Sequence, residues 1–264
     1  MTNTVIPSAH IAAFAAALFC TLVLPAALLI GLGIAKKIRL APLALGFASF
    51  FVSQMVLRIP LLQALSLTGW FQGFAASHIG LYTLLVGGLS AGLFEESGRL
   101  AGALVLKHDR TYKDMLSFGL GHGLCEVMAL AGVGHINNLL VSLALNDPAG
   151  PFGLLVAGLD GAVLEAAAAQ LAAATPGLVA LGLLERVSAV LFHLFATCLV
   201  FTGVRRRQAG WYFAAAVGAH TLSNTAATWL AFAGVGLLGI ELLLLAAGLA
   251  MGGYVLRARR AWGG

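Results

Sequence analysis

The chain has 264 residues, 60% of them hydrophobic and only 9% charged, with a formal net charge of +5. Such a composition lies far from that of water-soluble domains and excludes one as the main body of the chain. The excess of Lys and Arg sits in short clusters between apolar runs, so it reads as a membrane-topology signal and not as a nucleic-acid footprint.

Crossing a hydrocarbon core takes about 20 mostly apolar residues per helix. Runs of that kind lie near 10–35, 41–65, 79–106, 115–145, 180–204, 209–232 and 235–256. They predict an all-α integral membrane protein: a polytopic bundle of about seven transmembrane helices forming one membrane domain over 1–264. The first run is too long for a signal peptide and has no basic region before it, so it reads as a first span and not as a cleaved leader. Lys36, Lys37 and Arg39 follow that run, Lys107, Arg110 and Lys113 join the third to the fourth, Arg205, Arg206 and Arg207 join the fifth to the sixth, and Arg257, Arg259 and Arg260 follow the last. Basic clusters thus mark alternate breaks. The positive-inside rule then places the N-terminus outside and the C-terminus in the cytoplasm, in a multi-pass protein of the cytoplasmic (inner) membrane surrounded by lipid bilayer.

Between the fourth and fifth runs, "GLDGAVLEAAAAQLAAATP" is helix-prone but carries Asp160, Glu165 and Gln170 and is closed by Pro176. An extra span there would invert the cluster at 205–207. A helical outer-side segment near 152–175, re-entrant or lying on the surface, is expected instead. Cys20, Cys125 and Cys198 fall within apolar runs without paired spacing and read as packing residues, with no disulfide framework. Glycines such as those of "GGLSAG" at 87–92 point to close helix packing. "GLGHG" at 119–123 lacks the preceding strand and distal acid of a nucleotide-binding fingerprint.

Polar groups inside the apolar runs are few: Gln54 and Arg58; Glu95, Glu96 and Arg99; His122 and Glu126; His135, Asn137 and Asn138; Glu185 and Arg186; His193; His220 and Asn224; Glu241. Within a bilayer such groups face the bundle interior and mark function or pairing. Counted from the nearest basic cluster, Glu95 precedes Lys107 by 12 residues, His122 follows Lys113 by 9, His193 precedes Arg205 by 12 and His220 follows Arg207 by 13. At helical rise these lie roughly 13 to 20 Å from the cytoplasmic edge, in one layer on four helices. The i,i+4 pairs Glu95/Arg99, His122/Glu126 and His220/Asn224 give each helix one polar seam, within a motif-bearing core of about 79–232.

Each group also has a purely structural reading. A glutamate with Arg99 makes a packing ion pair, His193 a hydrogen-bonded interior histidine, Asn224 a cap on a neighbouring carbonyl, and Glu185 with Arg186 a local pair. The coincidence of depth on four helices, not any one residue, carries the functional reading.

A buried carboxylate beside several imidazoles either takes a proton from water as general base or helps hold a metal that acidifies it. Peptide hydrolysis also needs donors aimed at the developing oxyanion. Glu95 suits the base, His122 the orientation of its water, and His220 with Asn224 the oxyanion, while Arg99 would keep one glutamate of the pair ionised. Ser223 and Cys125 sit off the polar seams, which speaks against a serine or thiol nucleophile.

"EESGR" (Glu95, Glu96, Arg99), "FGLGH" (Phe118, His122) and "HTLSN" (His220, Asn224) resemble, in order and on separate helices, the Glu-Glu followed by Arg, the FxxxH and the HxxxN of the superfamily of intramembrane proteases that contains CAAX prenyl-protein proteases and bacteriocin-processing CPBP proteins. The longer "SFGLGHGLCE" and "LERVSAVLFH" look most like the bacterial YhfC family of that superfamily. The resemblance spans about 90–225. It implies that Glu95 and His122 activate water while His220 and Asn224 stabilise the oxyanion, on a membrane-embedded or lipid-modified peptide or protein substrate. CAAX-type members carry one more residue before the Arg; the spacing here is closer to the EExxK of PrsW-type relatives, which leaves open whether Glu95 or Glu96 is the base. His193 is an addition to the CAAX pattern, and either a third metal ligand or a proton donor to the leaving amine. Zinc held by His122, His193 and His220, with Glu95 activating water, and a metal-free glutamic mechanism both fit these letters. From another class, a transporter or channel would use the buried His and Glu as a proton or metal-ion path, which Gln54, Arg58, His135, Asn137 and Asn138 would extend. A non-catalytic relative is the third alternative.

Overall fold

The computed structural model describes residues 5–106 and 111–262, so Lys107 and Arg110 lie outside the described residues. Among those residues there is no strand, and nine continuous helices follow one another. They are α1 (Ser8–Ile34), α2 (Leu40–Ser66), α3 (Gly69–Ser77), α4 (Ile79–Val105), α5 (Tyr112–Asn146), α6 (Gly161–Ala173), α7 (Pro176–Arg205), α8 (Ala209–Phe232) and α9 (Leu237–Ala261).

By length and composition α1, α2, α5, α7 and α9 are able to cross a membrane, and a sixth span is added if α3 and α4, bent by 110° around His78, count as one. The expected seven is not reached on these grounds. The shortfall is α8, 24 residues long but too polar through "HTLSNT", the stretch that carries His220. The helix-prone stretch after the fourth run forms α6, capped at its start by Asp160, whose carboxylate accepts from Ala162 N at 2.8 Å. All three cysteines are free thiols.

Four helices carry a π-helical stretch: Phe19–Val23 in α1, Phe51–Arg58 in α2, Thr83–Leu89 in α4 and Val127–Gly132 in α5. A π turn widens the helix, shifts the phase of everything after it and frees carbonyls for other donors. α1 and α7 end alike, with Lys36 (φ 52) and Arg207 (φ 56) in the left-handed conformation that glycine usually supplies. Lys37 N then reaches Leu32 O at 2.8 Å, and Gln208 N reaches Gly203 O at 2.8 Å, closing both helices and bringing basic side chains to their negative ends.

The chain divides into two compact units, Met1–Ile30 with Val127–Arg186, and Gly31–Glu126 with Val187–Gly264. In the first, α1 and α6 pack on the second half of α5 around Phe14, Ala144, Leu145, Ala168 and Leu171. Ile6 there exchanges two hydrogen bonds with the Asn146 side chain, both 2.8 Å. The Glu185–Arg186 pair expected from sequence is present, with Arg186 Nη2 2.5 Å from Glu185 Oε1.

In the second unit α2 packs along the first half of α5 and against α4, and α8 packs against α4 and α9. Its apolar core is built on Ala103, Met115, Phe118, Val200, Phe201, Ala216 and Val255. Small residues set the α2–α5 separation: a Cβ on Gly121 would lie 2.1 Å from Leu43 O, and one on Gly46 2.0 Å from Phe118 O. The helices touch backbone to backbone, as membrane helices do where glycine allows it.

Gly121→Ala is therefore expected to destabilise the protein by about 1–3 kcal/mol or more, since backbone must move to admit the methyl group. Gly253→Ala, where a Cβ would meet nothing within 4 Å, should change stability by no more than about 0.5 kcal/mol. Thermal unfolding of both variants in the same mild detergent checks the contrast.

Candidate functional site: a buried glutamate ringed by three histidines

All residues of the cluster belong to the second unit. α4 supplies Glu95, Glu96 and Arg99, α5 supplies His122 and Glu126, α7 supplies His193 and Thr197, and α8 supplies His220. Glu96, Arg99 and His122 have no exposed surface, and Glu95, His193 and His220 retain under 5%.

Glu95 is the centre. Its Oε2 lies 3.0 Å from His122 Nε2 and 4.0 Å from His193 Nδ1, and its Oε1 lies 3.5 Å from His220 Nε2. Gln54 Nε2 donates to Oε1 at 2.5 Å. Each imidazole is anchored by its other nitrogen: His122 Nδ1 is 3.3 Å from Ser49 Oγ, His220 Nδ1 is 2.8 Å from Glu96 Oε1, and His193 Nε2 is bonded to Glu126 Oε2.

Glu96 is a structural partner to the ring. Its Oε2 accepts from Arg99 Nε at 2.8 Å and its Oε1 is taken by His220, so neither oxygen is left over. Arg99 Nη1 donates to Thr197 Oγ1 at 2.6 Å and to His193 O at 3.3 Å, and Nη2 meets His193 Nδ1 at 3.1 Å. A guanidinium only donates, so His193 Nδ1 is the acceptor in this arrangement and Nε2–H faces Glu126. Phe50 stands edge-on to His122 at 5.4 Å, and Phe192 edge-on to His220 at 5.0 Å, giving the cluster apolar walls.

The structure thus brings together seven residues singled out from sequence: Glu95, Glu96, Arg99, His122, His193, His220 and, through His193, Glu126. The pairing differs from that read off the spacing. Arg99 holds Glu96 at i,i+3, and Glu126 serves His193 across helices instead of its own i−4 neighbour His122. Asn224 is exposed, and its amide lies 3.5 Å from Gly87 O. Gln54, which the sequence offered only as an extension of an ion path, belongs to the cluster, and Ser49 and Thr197 gave no signal beyond small polar residues in apolar runs. The i,i+4 spacing of Gln54 and Arg58 was the one clue to the α2 contribution.

Donor atoms of Glu95, His122 and His193 lie within 4.8 Å of one another, close enough to share one metal ion. The donor chemistry fits a transition metal: imidazole nitrogens beside a carboxylate, with the far nitrogens held by carboxylate or hydroxyl oxygens as metal-bound histidines usually are. One contact opposes it, because Arg99 Nη2 occupies the Nδ1 that His193 would offer.

The sequence model of a family described as YhfC intramembrane metalloprotease matches residues 20–247. A curated relative, the Bacillus subtilis (strain 168) protein titled "Uncharacterized membrane protein YhfC", is 34% identical over 126 residues, which make up 47% of this chain and 48% of the relative. The aligned part thus spans about half the length of that relative. No solved structure matches.

Arg99→Met leaves the Glu96 carboxylate buried without its cation and is expected to cost about 3–5 kcal/mol. Adding Glu96→Gln should recover a large part of that loss. Denaturant unfolding of the single and double variants in detergent measures it.

Proposed function

The chain belongs to the YhfC family, and from that membership and the Glu95 cluster we propose that it is a metal-dependent intramembrane endopeptidase acting on a membrane-embedded or lipid-modified peptide. The observation that carries this reading is one buried carboxylate with three imidazoles about it: His122 and His220 are each held by one nitrogen from outside and turn the other toward Glu95, and His193 Nδ1 lies 4.0 Å from it.

Glu95, His122 and His193 would hold the metal, and zinc suits them. Bound there, it would polarise the scissile carbonyl and lower the pKa of water. The rest falls to the side chains. Glu126 fixes the His193 ring, and Glu96, itself fixed by Arg99, fixes His220. His220 Nε2 is left facing the carboxylate, in position to receive a proton from the attacking water and return it to the leaving amine. Phe50 and Phe192 keep bulk water from the cluster, which strengthens each of these electrostatic contacts.

A metal-free glutamic mechanism is the second reading, favoured by the Arg99 contact to His193 Nδ1. Glu95 would then be the base itself, with His122 orienting the water. Under either reading Glu96 is the less suited of the pair to be the base, since it is committed to the Arg99 guanidinium as well as to His220. The protein would sit in the cytoplasmic membrane with its N-terminus outside, as the basic residues at the ends of α1, α7 and α9 favour.

Glu95→Gln is expected to abolish proteolysis without unfolding the protein. Quantitative membrane proteomics of cells carrying equal amounts of either form should show one or a few membrane-attached proteins accumulating uncut in the variant. Unchanged cleavage, with altered proton or metal-ion uptake, would overturn the protease reading in favour of transport. Elemental analysis divides the two mechanisms: about one equivalent of transition metal, with activity lost in chelator, supports the first. Less than about a tenth of an equivalent, with activity intact in chelator, supports the second.

A further inference from the structure

Gln54 and Arg58 lie in the π-helical stretch Phe51–Arg58 of α2, inside a run otherwise suited to lipid. The Gln54 side chain is buried, and its amide sits between two groups that fix which way it points. Arg58 Nη1 meets Gln54 at 3.0 Å, and a guanidinium has no acceptor, so the amide oxygen must face Arg58. The NH2 group is then forced toward Glu95, where it donates to Oε1 at 2.5 Å.

Arg58 is held in its turn. Its Nε donates to Ser90 Oγ at 2.9 Å and its Nη2 to Val86 O at 2.7 Å. Val86 lies in the π stretch Thr83–Leu89 of α4, where the widened turn leaves its carbonyl able to accept from both Arg58 and Ser90 Oγ. The two π stretches are therefore joined by one guanidinium, and the join ends on the carboxylate at the centre of the cluster.

We propose that Gln54 is a positioning residue, oriented by Arg58, that occupies Glu95 Oε1 so that Oε2 is the oxygen presented to His122 and His193. Glu95 is then a one-oxygen ligand of fixed rotamer. Without the Gln54 amide the carboxylate is free to turn about its last torsion, which is soft in glutamate. This rests on the reading of Glu95, His122 and His193 as a metal site.

The test is a titration of the purified full chain in detergent with cobalt(II), whose d–d absorption reports both affinity and ligand geometry. Gln54→Leu is expected to weaken cobalt binding 10- to 100-fold and to alter the band shape, while the metal-free protein still unfolds cooperatively, its melting temperature lowered by no more than about 10 °C because buried groups lose a partner. Arg58→Met should weaken binding similarly, and the double variant should be no worse than Gln54→Leu alone, because both act through one amide. Should Gln54→Leu fail to fold, Gln54→Asn, which withdraws the amide by one methylene, takes its place with the same expectation. If these variants bind cobalt as wild type does while Glu95→Gln does not bind it, the role of Gln54 is overturned and the metal reading stands. If wild type takes up no cobalt, or Glu95→Gln binds it equally well, the metal reading is overturned and this proposal with it.

Discussion

The buried pair between Arg99 and Glu96 is the constraint on which the rest of the site depends. A guanidinium with no exposed surface, in a chain this apolar, must place its donors on protein acceptors, because no bulk water is at hand to take them. Arg99 does so across helices: to Glu96 on its own α4, and to Thr197, the His193 carbonyl and the His193 ring on α7. Glu96 passes the constraint on to His220 of α8. Three helices are thus fixed to one another by charge-assisted bonds whose loss leaves a buried ion, and the orientation of two of the three histidines follows from that fixing. The site is rigid because it is also a structural knot.

The π stretches extend the same logic to α2. An unbroken α-helix would keep its carbonyls for itself. Widened turns at Phe51–Arg58 and Thr83–Leu89 instead release acceptors and turn Gln54 and Arg58 toward α4. The contact between α2 and α5, where Gly46 and Gly121 permit backbone approach, brings Ser49 within reach of His122. Local irregularity and small residues together let four neighbouring helices converge on one carboxylate.

Much of this was legible from residue patterns, for reasons that differ between elements. The all-helical membrane class followed from apolar runs separated by basic clusters. The convergence of Glu95, His122, His193 and His220 followed from their similar sequence distances to those clusters, 9 to 13 residues, since helical rise converts residue count into depth. What spacing does not encode is phase. Glu95 and Glu96 differ by one residue, about 100° of helix, and only the packed bundle decides that Glu96 takes Arg99 and Glu95 faces the imidazoles. Cross-helix partners are equally silent: Glu126 looked like a neighbour of His122 one turn away, yet it reaches His193 on α7. The π stretch Phe51–Arg58 shifts phase again, so α2, which the depth count left out, joins the site. The bend at His78 was also hidden, because "TGWFQGFAAS" has neither a proline nor a charge to announce the short helix α3.

The charge inventory bears on what occupies the centre. Glu95, Glu96 and Arg99 are all buried, so two carboxyl groups share one guanidinium, and with both ionised one negative charge is left to be balanced. Gln54 brings Arg58 only one amide away and lends a polar donor to Glu95, but no contact joins Arg58 to the carboxylate itself. A buried ion left alone is far costlier than one that is paired, so the folded cluster calls either for a proton on Glu95 or for positive charge among the neighbouring nitrogens. An imidazolium supplies it, and so does a metal cation seated against Glu95, His122 and His193. Both answers put the compensating charge beside the carboxylate, where a scissile carbonyl turning into an oxyanion would meet it. The chemistry a protease needs and the electrostatics of burying an ionised Glu95 therefore ask for the same thing in the same place.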